Sequence, residues 1–249
     1  MQQATEKTFL VVGASGATGQ LLVAQLLDRG ARVKALVRSP VKLPETLRDH
    51  PRLLLVHANL LELGAEDLDV LTRDCDAIAS CLGHNLDWKG IWGPPYRLVT
   101  EATRRLCNSM NAQHREAPGR FVLMNSAGNS NCDLDEPLSL GHRLLIGLIR
   151  VAVPPHRDNE LAADWLRTRF GHGDERMQWC VVRPDTLIDE NEPSDYRLYP
   201  SPTRDALFDP GRTSRLNVAR FMANLMTEPD TWTRWQGRMP VIYNQAVVA

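Results

Sequence analysis

Along the chain, short apolar runs alternate with longer stretches in which apolar residues recur at helical spacing. Thr8–Val12, Arg32–Val37, Arg52–His57, Ala77–Cys81, Arg120–Met124 and Gln178–Val182 are rich in Val, Leu, Ile and Cys. Runs so short and so continuously apolar predict strands buried on both faces. Between them, Ala17–Arg29, Ala65–Thr72, Pro95–Gln113 and Asp158–Phe170 carry the pattern of amphipathic helices. In the third, Leu98, Ala102, Leu106 and Met110 recur every fourth position. Pro94 and Pro95 stand where a helix start tolerates proline. The alternation predicts an α/β fold, a doubly wound parallel sheet with helices on both faces.

After Pro184 the pattern changes. Residues 185–211 are rich in Pro, Asp and Ser and keep no sustained period. This reads as an ordered excursion from a single domain spanning 1–249, irregular over 185–215 and placed on the substrate side. Ser214 then caps a predicted helix through Met226, whose apolar contacts come from Leu216, Val218, Phe221, Leu225 and Met226. The stretch GRMPVIYN predicts a last short strand.

Composition narrows the function classes. With 249 residues the chain can bury a sizeable core. A formal net charge of −1 offers no general field for nucleic acid or an anionic membrane, and neither is expected as a partner. The opening MQQATEKTFL lacks a secretory pattern, and no apolar run approaches the length of about 18 residues that spans a bilayer. Five cysteines, at 75, 81, 107, 132 and 180, form no Cys-x-x-Cys pair, and the seven histidines show no metal-ligand spacing. The expectation is a cytoplasmic protein with reduced thiols and no metal.

The candidate chemistry begins at FLVVGASGATG. Gly13, Gly16 and Gly19 fall between a buried strand and a helix, where glycine permits a tight turn and close approach of backbone to a ligand. The helix that follows, opening at Ala17, offers unpaired N–H groups and the positive end of its dipole to a phosphate. Ser15 and Thr18 either donate hydroxyls to a pyrophosphate or cap the helix. The spacing is Gly-x-x-Gly-x-x-Gly, a variant of the dinucleotide fingerprint. Strand two ends at Arg38, with Lys42 four positions on and no acid before Glu45. An acid there would repel a 2′-phosphate and an arginine would welcome it, so NADP(H) is expected in preference to NAD(H).

GASGATG, LVRSP after strand two, HANL after strand three, SCLG after strand four, NSAG after strand five and VVRP in strand six follow in order. Together they resemble an atypical short-chain dehydrogenase/reductase, of the NmrA-like and flavin/biliverdin-reductase-like group of NAD(P)-binding proteins, from about Phe9 to Asn244. The resemblance implies a Rossmann-like fold. It also implies that Arg38 recognises the adenosine 2′-phosphate, that Asn59 and Leu60 pack around the adenine, and that Cys81, Leu82 and Gly83 run under the ribose. Arg183 and Pro184 would border the nicotinamide pocket through their backbone, and Ser126 would contact nicotinamide or substrate.

The same resemblance predicts a Tyr-x-x-x-Lys pair on the helix after strand five, and here the chain departs from it. Between Ser126 and Arg183 there is neither tyrosine nor lysine. Ser126 and His156 are the catalytic candidates, the second because imidazole titrates near neutral pH; Asn159 and Glu160 stand near the displaced lysine position. Trp88, Trp92 and Tyr96, in the loop after strand four, are candidates for a flat substrate wall. The expected function is an NADPH-dependent reductase of a small planar or carbonyl-type acceptor, quinone- or flavin-like. The alternative is a non-catalytic NADP(H)-binding sensor or assembly factor with a regulatory protein partner. An epimerase ranks last, because it needs the missing pair.

Overall fold

Val11 and Phe9 face one helical layer and Leu10 and Val12 the other, so the first strand is apolar at successive positions because both of its faces are covered. A computed structural model describes residues 6–39, 42–84, 93–134, 136, 154–205 and 209–245. The strands are β1 (Thr8–Val12), β2 (Arg32–Val37), β3 (Leu53–His57), β4 (Ala77–Ser80), β5 (Gly119–Met124), β6 (Met177–Pro184), β7 (Thr186–Ile188), β8 (Tyr196–Tyr199), β9 (Arg212–Ser214) and β10 (Val241–Asn244). The helices are α1 (Ala17–Asp28), α2 (Glu45–Arg48), α3 (Ala65–Thr72), α4 (Leu98–Ala112), α5 (Pro154–Phe170), α6 (Arg215–Thr227) and α7 (Pro229–Trp235).

The main sheet runs β3-β2-β1-β4-β5-β6-β10-β8, parallel except for the antiparallel β10–β8 pair at one edge. Strand order reverses beside β1, which has β2 on one side and β4 on the other. A crevice at the carboxyl ends of the strands is the consequence, and it is where open α/β sheets take ligands. One core layer packs α1 against α6 through Leu22, Leu26, Phe221 and Leu225; the other holds Leu106, Phe121, Leu166 and Trp179 between the sheet and α4 and α5.

Three differences from the expected elements have physical reasons. Helix α4 begins at Leu98 rather than Pro95, where the N–H groups of Val99 and Thr100 find their cap in Asp158 and the N-cap residue, Arg97, supplies none. Helix α5 begins at Pro154, four residues before Asp158, since proline in a first turn forfeits no intrahelical hydrogen bond. The stretch expected to be irregular, 185–215, contains β7, β8 and β9: β8 extends the main sheet, and β7 and β9 pair with each other. Strands of three or four residues are too short to declare a period of two.

Candidate functional site

The glycine turn holds three different constraints. Gly13 has φ +74°, and a Cβ there would stand 2.6 Å from the carbonyl carbon and oxygen of Cys81, because the ends of β1 and β4 run together. A Cβ on Gly19 would overlap the backbone oxygen of Gly13, so this glycine lets α1 sit on the turn. Gly16 is different: its Cβ would meet only Gly13 O, at 3.3 Å, and its N–H donates to the same oxygen at 3.0 Å. As the N-cap of α1 it supplies no side-chain cap, which leaves the first N–H groups of the helix for a ligand.

Above this turn lies an open cleft of about 240 Å³ over the ends of β1 to β4. Of the expected cofactor residues, Gly13, Ser15, Gly16, Arg38, Lys42, Asn59, Leu60, Cys81, Leu82 and Gly83 all line it. Ala17, Thr18 and Gly19 do not, and Thr18 is buried in the helix–sheet contact rather than turned to the cleft. Arg38 is exposed at the rim, its carbonyl held by His57 Nε2 at 2.7 Å, and its guanidinium has no acidic partner among the described residues. Lys42 is exposed beside it. Asn59 spends its side chain on its own turn, donating to Glu62 Oε1 at 2.7 Å and accepting from Leu61 N at 3.3 Å. Burial pushes the Cys81 thiol up to about 12, so it stays protonated at neutral pH and acts as filling.

Sequence reasoning missed part of this cleft. Val12, Leu36, Val37, Ala58, Leu61, Pro95 and Leu98 supply its apolar lining. Their signal was position, since each adjoins a strand or helix end already singled out. Gln20 was missed as well: its Nε2 donates to Ser15 O at 2.9 Å and Lys42 O at 3.1 Å, tying the glycine turn to the segment after Arg38.

Towards β5 the chemistry changes. Ser126 Oγ accepts from Gly128 N at 3.2 Å, and a Cβ placed on Gly128 would stand 3.6 Å from both Ser126 Oγ and His156 Cε1. The two catalytic candidates therefore border the same gap. His156 is half-buried in the first turn of α5, and its Nε2 lies 3.4 Å from Glu160 Oε1 without hydrogen-bond alignment. Asn125 Nδ2 donates to Asn159 O at 2.9 Å, and Asn125 Oδ1 accepts from Ser126 N at 2.8 Å. Ser126, Arg183 and Pro184 lie outside the residues that line the β1–β4 cleft.

Arg183 is wholly buried. Its guanidinium pairs with Glu136 at 2.8 Å and donates to the carbonyls of Asn129, Met239 and Pro200. The side chain is thus a bolt between β6 and its surrounding loops, and only the backbone is left to border a ligand. Pro184 O accepts from Ala127 N at 2.8 Å. Tyr96 is exposed and stands beside Pro95 at the cleft mouth. Trp88 and Trp92 lie outside the described residues.

A buried pair was not foreseen. His84 Nε2 lies 2.8 Å from Asp158 Oδ2, with side chains 5% and 0% exposed. The same carboxylate accepts from Val99 N at 2.7 Å and Thr100 N at 3.0 Å, and so caps α4 from another helix. Burial alone would raise the Asp158 pKa, but the hydrogen bonds from His84, Thr100 and Val99 outweigh it and hold the group below its ordinary value. Nothing in the local sequence marks an aspartate inside a helix as the cap of a different helix.

The sequence pattern that defines the NAD(P)H-binding family matches residues 13–229. An uncharacterized chloroplastic protein of Arabidopsis thaliana is 27% identical over 229 residues, which is 91% of this chain and 74% of that protein. Among solved structures, a short-chain dehydrogenase/reductase from Veillonella parvula in complex with NADP superimposes with a TM-score of 0.68 at 16% identity, covering 96% of this chain and 95% of the other. ChuY, described as an anaerobillin reductase from Escherichia coli O157:H7, gives 0.66 at 18% identity over 98% of this chain and all (100%) of the other. At such identities the likeness is one of fold.

Proposed function

The chain belongs to the NAD(P)H-binding family, and from that premise we propose that it is an NADPH-dependent reductase of a small planar or carbonyl-type acceptor, quinone- or flavin-like. The residues present fit a dinucleotide. Gly83 has no atom within 4 Å of where a Cβ would stand, and the uncapped start of α1 faces the space that a pyrophosphate needs. In the proposed assignment Gly13, Ser15 and Gly16 hold the pyrophosphate, Leu60 and Leu61 the adenine, and Arg38 with Lys42 the 2′-phosphate. A nicotinamide bound here supplies two electrons and a hydrogen to the acceptor.

The chain's own part is orientation and proton supply. Ser126 donates a hydrogen bond that orients and polarises the acceptor, and His156 provides the proton at its ring nitrogen. The observation that carries this reading is the meeting of Ser126 and His156 at the gap above Gly128. Because α5 presents neither tyrosine nor lysine, simple secondary alcohols are poor substrates and acceptors that need no strong acid are good ones.

The test is decay of NADPH absorbance against quinones, flavins and aldehydes, and its rise when NADP+ is supplied with secondary alcohols, with cofactor binding measured separately. Consumption with quinones or flavins and little alcohol oxidation is the expected result; brisk alcohol oxidation refutes the catalytic assignment. The lack of the usual proton-donating pair on α5 favours a second reading, a sensor that binds NADP(H) without turnover, and tight binding with no decay on any acceptor would establish it.

A further inference from the structure

Asp158 stands at a junction of three parts of the molecule. Its carboxylate takes His84, which directly follows the cleft-lining Gly83, and the N–H groups of Val99 and Thr100, which directly follow the cleft-lining Leu98. Its carbonyl accepts from Thr100 Oγ1 at 2.9 Å. The next residue, Asn159, is held through its carbonyl by Asn125, the neighbour of Ser126. His156 lies two positions before Asp158. The first turns of α5 are therefore fastened on one side to the wall of the cofactor cleft and on the other to the strand that ends in Ser126.

Chemistry makes this junction directional. Two backbone N–H groups on the carboxylate are donors with no alternative state, and they keep Asp158 an acceptor. The imidazole of His84 must then present Nε2 as N–H. An asparagine in place of Asp158 offers one acceptor and one NH₂ donor, so it loses the Thr100 cap in one orientation, and in the other loses the Val99 cap and forces the imidazole into the other tautomer.

We propose that Asp158 and His84 are positioning residues, which hold His156 and Ser126 in register with the cofactor cleft on a helix that lacks the Tyr-x-x-x-Lys pair. The inference rests on the reductase reading for its kinetic consequence but not for its structural one. Three variants separate the roles. Asp158→Asn disturbs the caps and the imidazole together. His84→Leu removes the imidazole and leaves both backbone caps. His84→Gln restores a donor.

The readouts are the histidine ring signals in long-range 1H–15N spectra, the NADPH dissociation constant from fluorescence, and kcat with a quinone acceptor. The wild-type protein shows His84 as the Nε2–H tautomer, and NADPH shifts the His156 ring signals. In His84→Leu the NADPH dissociation constant stays within about threefold while kcat falls about tenfold or more, as loss of a buried charge-assisted hydrogen bond implies, and NADPH no longer shifts His156 in the same way. His84→Gln recovers most of kcat. In Asp158→Asn a backbone cap of α4 is lost, and the His84 tautomer switches where the amide NH₂ takes the place of Oδ2.

An Nδ1–H tautomer in the wild type, or an unaltered His156 response in His84→Leu, overturns the proposal. So does a loss of NADPH affinity that parallels the loss of kcat, because that is a structural cap and nothing more. If the wild-type protein binds NADPH but no acceptor draws its consumption, the reductase reading fails alone, and the two ring signals still decide the positioning role.

Discussion

At the β1–α1 turn, Gly16 N bonds to Gly13 O and Gln20 Nε2 to Ser15 O, partners no more than five positions apart. At the β5–α5 corner, Asp158 reaches Val99 across 59 positions and His84 across 74, and Asn125 reaches Asn159 across 34. The first region closes its turn with bonds between near neighbours, onto which Cys81 and Lys42 are packed or tied, whereas the second is built by remote residues throughout. The local device is a glycine turn between a strand and a helix, and its spacing in the sequence announces it. The remote device joins segments far apart in the sequence, and only the way the chain is threaded creates it. That contrast predicts different failures when each is altered.

The largest effects belong to the glycine turn, and they separate folding from binding. Gly13→Val and Gly19→Val drive a side chain into backbone, and Gly13 adds a positive φ, so each loses about 3 kcal/mol of stability or more in urea unfolding. Gly16→Val meets a single oxygen at 3.3 Å and loses about 1 kcal/mol as an inferior N-cap, yet it fills the space a pyrophosphate needs. The expected result is a folded protein with no measurable NADPH binding; normal affinity would place the phosphate elsewhere.

At the corner, Ser126 and His156 respond in rate rather than in stability. Ser126→Ala and His156→Ala leave the NADPH dissociation constant close to that of the parent and lower kcat with a quinone, by about 100-fold where a proton donor is removed. Equal kcat values in both variants and the parent would erase the distinction between the two regions. Arg38→Asp is the smaller counterpart at the cleft rim. A charge-assisted contact at an exposed site contributes about 1.5–3 kcal/mol, so this variant loses tenfold or more in NADPH affinity while NADH affinity holds or rises. Identical titration curves for NADPH and NADH in the parent would remove the NADP assignment.

The smallest effect is a pH dependence. The folded pKa of Asp158 lies below its ordinary value, because the hydrogen bonds from His84, Thr100 and Val99 outweigh burial. Its contribution to stability is complete above the ordinary carboxylate value of about 3.9 and is lost as the pH falls through the folded value. The stability gap between the parent and Asp158→Asn is therefore widest near neutral pH and narrows below about pH 4 in urea titrations. A gap that widens towards acid would contradict the pairing.

Much of the molecule was legible without coordinates, for a physical reason. A strand covered on both faces has to be apolar at successive positions, so Thr8–Val12 and Arg32–Val37 announced themselves, and Ala65–Thr72 did so through its helical period. The turn at Gly13 needs glycine for its positive φ and for the close approach of Cys81, and the glycine spacing that meets this need marked it in the sequence, together with Arg38 at the next strand end. Tertiary structure decided the rest. It made Arg183 a buried bolt to Glu136, turned Thr18 inward, brought His156 to Ser126 across Gly128, and made Asp158 the cap of a helix that begins 60 residues earlier in the chain. A hydrogen bond between remote residues leaves no period and no spacing in the sequence, because its partners are chosen by the path of the backbone between them.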